Sequence, residues 1–293
     1  MRVLLTGATG FIGKPALRLL LGQGHEVLSL ARGETPFDLS PRGALHWHRC
    51  DLSSLETWLA ALDAFRPEAC LHLAWEGIPD YGLERSMGNL TMGARLLDAA
   101  VKNGCTRVVI SGSCWEYGKV QGLLHEETPP VAPGIFASAK RGLHGLAKAI
   151  CREGGASLAW GRVFYPYGPG QKEASLLPTV CRAIREAGNP ELRTPKAAND
   201  FLYVDDTAAA LVFLLGVDAQ GAFNIGSGRA TPVGWMADQL LLLAGRQPLF
   251  QVSPDAVENG SWADMSRLAS LGWKPTTSLE EGLLRTKEHF IGS

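Results

Sequence analysis

Three glycines in Thr6-Gly7-Ala8-Thr9-Gly10-Phe11-Ile12-Gly13 follow a short apolar run and open a segment of helical period. That order suits a dinucleotide pyrophosphate: the turn lacks Cβ atoms, and the helix start supplies N–H donors and the positive end of its dipole. Gly7, Thr9, Gly10, Phe11, Ile12 and Gly13 are the expected cradle. At the end of the next apolar run, Ser29-Leu30-Ala31-Arg32 has no carboxylate for a free adenosine ribose but does have a guanidinium. A 2′-phosphate suits that cation, so NADP(H) is expected over NAD; a solvated loop cation is the alternative reading of Arg32. Asp51 and Leu52 read as adenine-side contacts, although an exposed N-cap aspartate has the same signature.

These residues need a scaffold. Short apolar runs at Arg2–Thr6, Glu26–Leu30, Leu45–Arg49, Ala69–Leu73, Arg107–Ser111 and Ser157–Arg162 alternate with helix-period segments at Phe11–Leu21, Leu55–Phe65, Met87–Asn103 and Ile135–Glu153. In the third helix Leu90, Ala94, Leu97 and Val101 recur on one face. The alternation predicts βαβ units, hence an α/β fold with a doubly wound parallel (Rossmann) sheet. After about Phe164 the chain becomes punctuated by proline and glycine, with helices expected at Leu176–Ala187, Asp205–Leu215 and Val233–Leu243. Residues 1–164 are read as the dinucleotide-binding domain and 165–293 as a smaller C-terminal substrate lobe, with segments near 198–226 returning to the first domain.

Composition narrows the function classes. The chain has 293 residues, 46% hydrophobic, with formal net charge -1. Interspersed charges give no basic stripe for nucleic acid and no polybasic segment for a membrane surface. Six cysteines, at 50, 70, 105, 114, 151 and 181, form no Cys-x-x-Cys pair, and read as buried free thiols. Histidines lack metal-ligand spacing, so no metal is expected: His46 and His48 alternate on or beside a strand, His72 ends one, and His144 lies on a helix. The start turns glycine-rich after a few apolar residues, unlike a signal peptide, and a cytoplasmic protein is expected.

The chain resembles the extended short-chain dehydrogenase/reductase family, of the NAD-dependent epimerase/dehydratase type, over essentially its whole length. The resemblance rests on the glycine motif, His72-Leu73-Ala74-Trp75, Asn89, Ser111-Gly112-Ser113, Arg162-Val163-Phe164-Tyr165-Pro166-Tyr167-Gly168-Pro169-Gly170, Asp200-Phe201-Leu202-Tyr203-Val204-Asp205-Asp206 and Asn224-Ile225-Gly226-Ser227-Gly228. It implies that Leu73, Ala74, Trp75, Asn89, Ser111 and Phe164 join the cofactor site, that the substrate is a nucleotide-diphosphate sugar, and that the protein is a homodimer. It also implies catalysis by a Ser or Thr with a Tyr-x-x-x-Lys pair. Ser113 and Lys140 match, but Phe136 stands at the tyrosine position. A phenyl ring has no proton to give. An engineered substitution, another donor such as Ser113, Tyr165 or water, and a non-catalytic relative are the three explanations, in that order.

The same resemblance bears on the reaction. Family dehydratases carry Asp-Glu after the Ser/Thr, where this chain has Cys114-Trp115; family epimerases carry an acidic residue near the end of the second strand. NADPH-dependent reduction is left, with a nucleotide-sugar epimerase as the runner-up, and Leu73 to Tyr81 with Ser111 to Gly118 looks like a subgroup reducing 4-keto-6-deoxy nucleotide sugars. Trp75, Tyr81, Ser113, Trp115, Glu116 and Tyr165 are then expected around the sugar, the aromatic and acidic members having core packing as the alternative. Arg193, with Lys196 as a second cation, is expected at the substrate pyrophosphate or on the surface.

Overall fold

The computed structural model describes residues 1–35 and 44–292. In chain order the strands are β1 (Arg2–Thr6), β2 (Glu26–Ala31), β3 (Leu45–Arg49), β4 (Ala69–His72), β5 (Arg107–Ser113), β6 (Gly122–Leu124), β7 (Ser157–Val163), β8 (Tyr165–Tyr167), β9 (Ala197–Asn199), β10 (Phe201–Tyr203), β11 (Gly221–Ile225), β12 (Thr231–Pro232) and β13 (Asn259–Ala263). The helices are α1 (Gly13–Gly22), α2 (Leu59–Phe65), α3 (Leu83–Lys102), α4 (Ile135–Glu153), α5 (Leu176–Arg185), α6 (Val204–Gly216), α7 (Val233–Leu243), α8 (Ser266–Ser270) and α9 (Leu279–Ile291).

Seven strands form one sheet in the order β11-β7-β5-β4-β1-β2-β3. The β1–β2, β2–β3, β1–β4 and β4–β5 pairs run parallel. This is a Rossmann α/β fold, with helices flanking the sheet. Central strands buried on both faces must be apolar throughout, and Val3, Leu4, Leu5, Cys70 and Leu71 are completely inaccessible. The strand order reverses between β1 and β4, and the crevice outside their carboxyl ends is where such sheets bind ligands. α3 and α4 lie side by side; a Cβ on Gly93 would stand 2.9 Å from Leu143, and one on Gly142 would stand 2.9 Å from Leu90. The core below them includes Leu96, Leu97, Leu143, Ala147 and Trp160.

By compactness, Met1–Lys119, Pro129–Arg162 and Ala208–Phe223 form one unit, and Val120–Thr128, Val163–Thr207 and Asn224–Ser293 the other. This departs from a division at residue 164. Val120–Thr128 groups with the second unit because β6 hydrogen-bonds to β13, and within the stretch near 198–226 only 208–223 groups with the first. The second unit contains a four-stranded sheet, β12-β9-β13-β6, and the β8–β10 pair, over a core with Tyr167, Cys181, Phe201, Met236 and Leu283. Here the Asp200 and Asn224–Gly228 motifs meet. Asp200, fully buried, accepts from Ser227 N and Oγ, Gly228 N and Ala263 N at 2.5–3.0 Å, and a Cβ on Gly226 would strike its carboxylate at 2.5 Å. All six cysteines are free and buried.

Candidate active site

The cradle is built from the end of β1 and the start of α1. Gly7 has φ +77°, and a Cβ there would stand 2.8 Å from Ala74 N and 2.9 Å from Leu73 C, while one on Gly13 would stand 1.8 Å from Gly7 O. Two of the glycines are therefore obligatory for backbone approach. Thr9 and Gly10 are exposed, Phe11 and Ile12 are partly so, and the first turn of α1 has no acidic residue. Gly10 N donates to Gly7 O at 2.9 Å and closes the turn. Thr6 ties β1 to the segment after β4: its hydroxyl pairs with His72 Nδ1 at 2.7 Å, and its carbonyl accepts from Leu73 N at 3.2 Å. The site thus presents bare backbone at a helix N-terminus, which fits a dinucleotide pyrophosphate. Gly13→Ala is expected to weaken nicotinamide-dinucleotide binding at least tenfold, about 1.4 kcal/mol, because its methyl must push Gly7 out of place; titration calorimetry checks this.

On the adenosine side Arg32 is not isolated. Its exposed guanidinium meets Glu76 at 2.9 Å, a carboxylate that arrives from the loop after β4 and that the β2 sequence does not reveal. Asp51 accepts from Ser53 N and Oγ at 2.9 and 2.8 Å; those bonds, and then the charge of Arg32, lower its pKa. Leu52 is packed in the core, so of the Asp51-Leu52 pair only Asp51 presents its side chain to solvent. Asn89 also differs from expectation. Its amide accepts from Glu76 N at 2.6 Å and donates to the carbonyls of Glu76 and Arg85 at 3.1 and 2.7 Å, so it braces the loop after β4.

Ser113 ends β5 and caps the 3-10 turn Cys114–Tyr117, its hydroxyl accepting from Trp115 N at 3.2 Å. Glu116 corrects the sugar-wall expectation. It is completely buried, and its carboxylate accepts from Ser113 N at 2.8 Å, Trp160 Nε1 at 2.9 Å and Arg162 Nε at 3.2 Å. A charge so deep requires this pairing, and the carboxylate fixes Ser113 from below. A Cβ on Gly112 would stand 2.2 Å from Trp160 Nε1, so the residue between Ser111 and Ser113 must be glycine.

Lys140 and Phe136, four apart on α4, share a face. Lys140 is 5% exposed; its Nζ donates to Ser111 O at 2.7 Å and stands 4.1 Å from the Trp75 ring centroid. Burial pulls its pKa down to about 7, against a raising influence of Glu116. Phe136 is buried within a ring cluster, 5.3 Å from Trp75, 5.2 Å from Tyr81 and 5.7 Å from Trp115, with Tyr81 and Trp115 4.9 Å apart. Trp75, Tyr81, Trp115, Phe136, Ser113 and Lys140 therefore gather outside β4 and β5, beside the cradle. His72 is fully buried and held neutral, its pKa pushed down to about 3 by burial and then by Lys140. His144 stacks on Trp160 at 4.5 Å. Among the described residues no three His, Cys, Asp or Glu are grouped to hold a metal. Phe164, Tyr165 and Arg193 belong to the second unit, where Phe164 is buried, Tyr165 half-buried and Arg193 exposed. Lys196 pairs with Glu258 at 2.8 Å.

Known proteins agree with this architecture. The chain is 29% identical to the dTDP-6-deoxy-L-talose 4-dehydrogenase (NAD(P)(+)) of Kitasatospora kifunensis, over 96% of this chain and 93% of the relative. It is 26% identical to the GDP-6-deoxy-D-mannose reductase of Pseudomonas aeruginosa, over 96% and 94%. The UDP-glucose 4-epimerase of Thermotoga maritima, solved with UDP-glucose, superposes with a TM-score of 0.84 at 25% identity, covering 99% of this chain and 98% of that one. The model of the NAD dependent epimerase/dehydratase family matches residues 3–226. With its sheet order and glycine cradle, the chain belongs to the NAD dependent epimerase/dehydratase family, the extended short-chain dehydrogenase/reductases, a family of nicotinamide-dinucleotide enzymes that includes nucleotide-sugar reductases and epimerases.

Proposed function

We propose that the protein is an NADPH-dependent reductase of a nucleotide-linked sugar, acting on the C4 keto group of a 4-keto-6-deoxy hexose. The observation that carries the reading is Lys140, whose Nζ is tied to the Ser111 carbonyl beside Ser113 at the mouth of the glycine cradle. The bound cofactor supplies hydride. Gly7, Gly10 and Gly13 admit its pyrophosphate, Lys140 holds the nicotinamide ribose with the ammonium donors not spent on Ser111, and the Ser113 hydroxyl donates to the substrate oxygen. Trp75, Tyr81 and Trp115 form the sugar wall. Cys114-Trp115 in place of an acidic pair speaks against dehydration. The test is NADPH oxidation with a panel of dTDP-, CDP- and GDP-linked 4-keto-6-deoxy sugars. An inert protein that still binds NADPH would support the second reading, a catalytically impaired relative, which draws on Phe136.

For the choice of cofactor, Arg32 and the lack of a carboxylate at the end of β2 support NADP(H). A charge-assisted bond to a 2′-phosphate contributes about 1.5–3 kcal/mol. Arg32→Ala is therefore expected to weaken NADPH about 10–100-fold and leave NADH unchanged; equal losses for both would reject the assignment. A homodimer through α3 and α4 is also part of the proposal, supported by the exposed Leu83, Met87 and Leu146, with sedimentation velocity as the check.

A further inference from the structure

The proton needed in carbonyl reduction has no source at residue 136, and the structure offers a replacement within the same ring cluster. We propose that the Tyr81 phenol is the general acid that protonates the substrate oxygen. This assignment rests on the reductase reading above.

Three rings, Trp75, Tyr81 and Trp115, meet at Phe136, and Tyr81 carries the one ionisable proton among them: an indole N–H donates hydrogen bonds but does not titrate in water, whereas a phenol does. Tyr81 packs edge-on against Phe136 at 5.2 Å and against Trp115 at 4.9 Å. It is half-buried, so part of the residue remains open to solvent. Burial raises its pKa, which keeps the phenol protonated at neutral pH and ready to give its proton to an alkoxide.

The loop that carries it is held on both sides. Asn89 clamps Glu76, Arg85 reaches Glu76 at 3.4 Å and Asp80 at 3.7 Å, Asp80 N donates to Gly77 O at 2.7 Å, and Gly82 N donates to Asp80 Oδ1 at 3.0 Å. Gly77 has φ +86°, and the Arg85 side chain fills the space a Cβ would need, 2.5 Å away.

The other titratable groups near Ser113 in the first unit are committed elsewhere. Glu116 is locked between Ser113 N, Trp160 and Arg162. His72 is fully buried against Thr6. Tyr117 is buried beneath the Arg162 guanidinium at 4.6 Å, and Lys140 donates to Ser111 O, stands over the Trp75 ring and, in the reading above, gives its remaining donors to the cofactor ribose. The step balances: the carbonyl carbon accepts a hydride from the reduced cofactor, and the C=O π pair moves to oxygen. That oxygen takes the Tyr81 proton, and solvent reprotonates the phenolate. The sum converts carbonyl, NADPH and a proton into alcohol and NADP⁺.

The test compares wild type, Tyr81→Phe and the double variant Tyr81→Phe/Phe136→Tyr, reading NADPH oxidation with the keto-sugar panel and, separately, affinities for NADPH and for the sugar from tryptophan fluorescence. Tyr81→Phe is expected to lower kcat about 10²-fold with both affinities unchanged, and the double variant, which moves the phenol to the family position, is expected to recover most of it. Tyrosinate absorbance on titration is expected to lose a group ionising above free tyrosine. If wild type turns over and Tyr81→Phe keeps kcat within about threefold, far below the general-acid contribution, the role of Tyr81 is overturned while the reductase reading stands. Loss confined to sugar affinity would likewise reduce Tyr81 to a wall residue. A wild type inert with every sugar overturns the reductase reading, and the role of Tyr81 with it.

Discussion

Lys140→Met is expected to change activity and stability in opposite directions. Turnover should fall about 10²–10³-fold, the usual cost of removing a preorganised donor at a reacting centre, with the nicotinamide dinucleotide bound more weakly. The folded state should become more stable because the variant no longer buries an ammonium. The sign follows from proton binding. The lysine pKa is 10.5 in the unfolded chain and about 7 in the folded one, so between those values the unfolded state holds the extra proton and stability rises with pH. Below about pH 7 the folded protein carries the full penalty of a buried cation, about 1.4 kcal/mol for every tenfold weakening of its hold on the proton. Melting temperatures of wild type should approach those of Lys140→Met as pH rises from 7 to 10.5. A variant less stable than wild type at pH 7 would show that the ammonium is well paired in its pocket.

Glu116→Leu is expected to be among the most destabilising single changes in the chain. The carboxylate has no exposure and neutralises Arg162, a side chain that is itself 10% exposed. Removing one partner leaves the guanidinium buried without a counter-charge, at a cost of about 3–5 kcal/mol, and also strips Ser113 N and Trp160 Nε1 of their acceptor. At roughly 2–4 °C per kcal/mol, the melting temperature should fall by about 6–20 °C. Glu116→Gln keeps the volume and an acceptor oxygen, so it should lose less stability. Differential scanning calorimetry of both variants checks the order. A leucine variant that melts with wild type would mean that the Ser113–Trp160–Arg162 connection contributes little to holding β5 and β7.

What is legible along the chain is whatever is local. β1, α4 and α7 have the boundaries that apolar runs and helical period predict, since burial on both faces of a parallel strand, or on one face of a helix, writes itself directly into residue order; the edge strand β3 also keeps its expected bounds, with no residue fully buried. α3 begins four residues before its expected start, at Leu83, because Gly82 and not an apolar residue marks the entry. The Leu55–Phe65 segment divides into a 3-10 turn and a short helix at Trp58, whose side chain is buried and bonded to Leu52 O. The strands β6, β8, β9, β10, β12 and β13 leave no such mark; they are two to five residues long, too short to show a period.

The same division runs through the site. Residue order alone determined the glycine-rich turn, the β-strand that precedes it and the shared helix face of Phe136 and Lys140, because each is a property of a few consecutive residues. Tertiary structure alone decided that Glu116 is a buried anchor and not a sugar ligand, since Trp160 and Arg162 lie 44 and 46 residues away. It also decided that Asn89 clamps a loop, that Glu76 shares Arg32, and that Tyr81 comes to rest on Phe136. A carboxylate, an amide or a phenol has the same appearance in a sequence whether it faces ligand or protein; its role depends on which donors and rings the fold brings within a few ångströms.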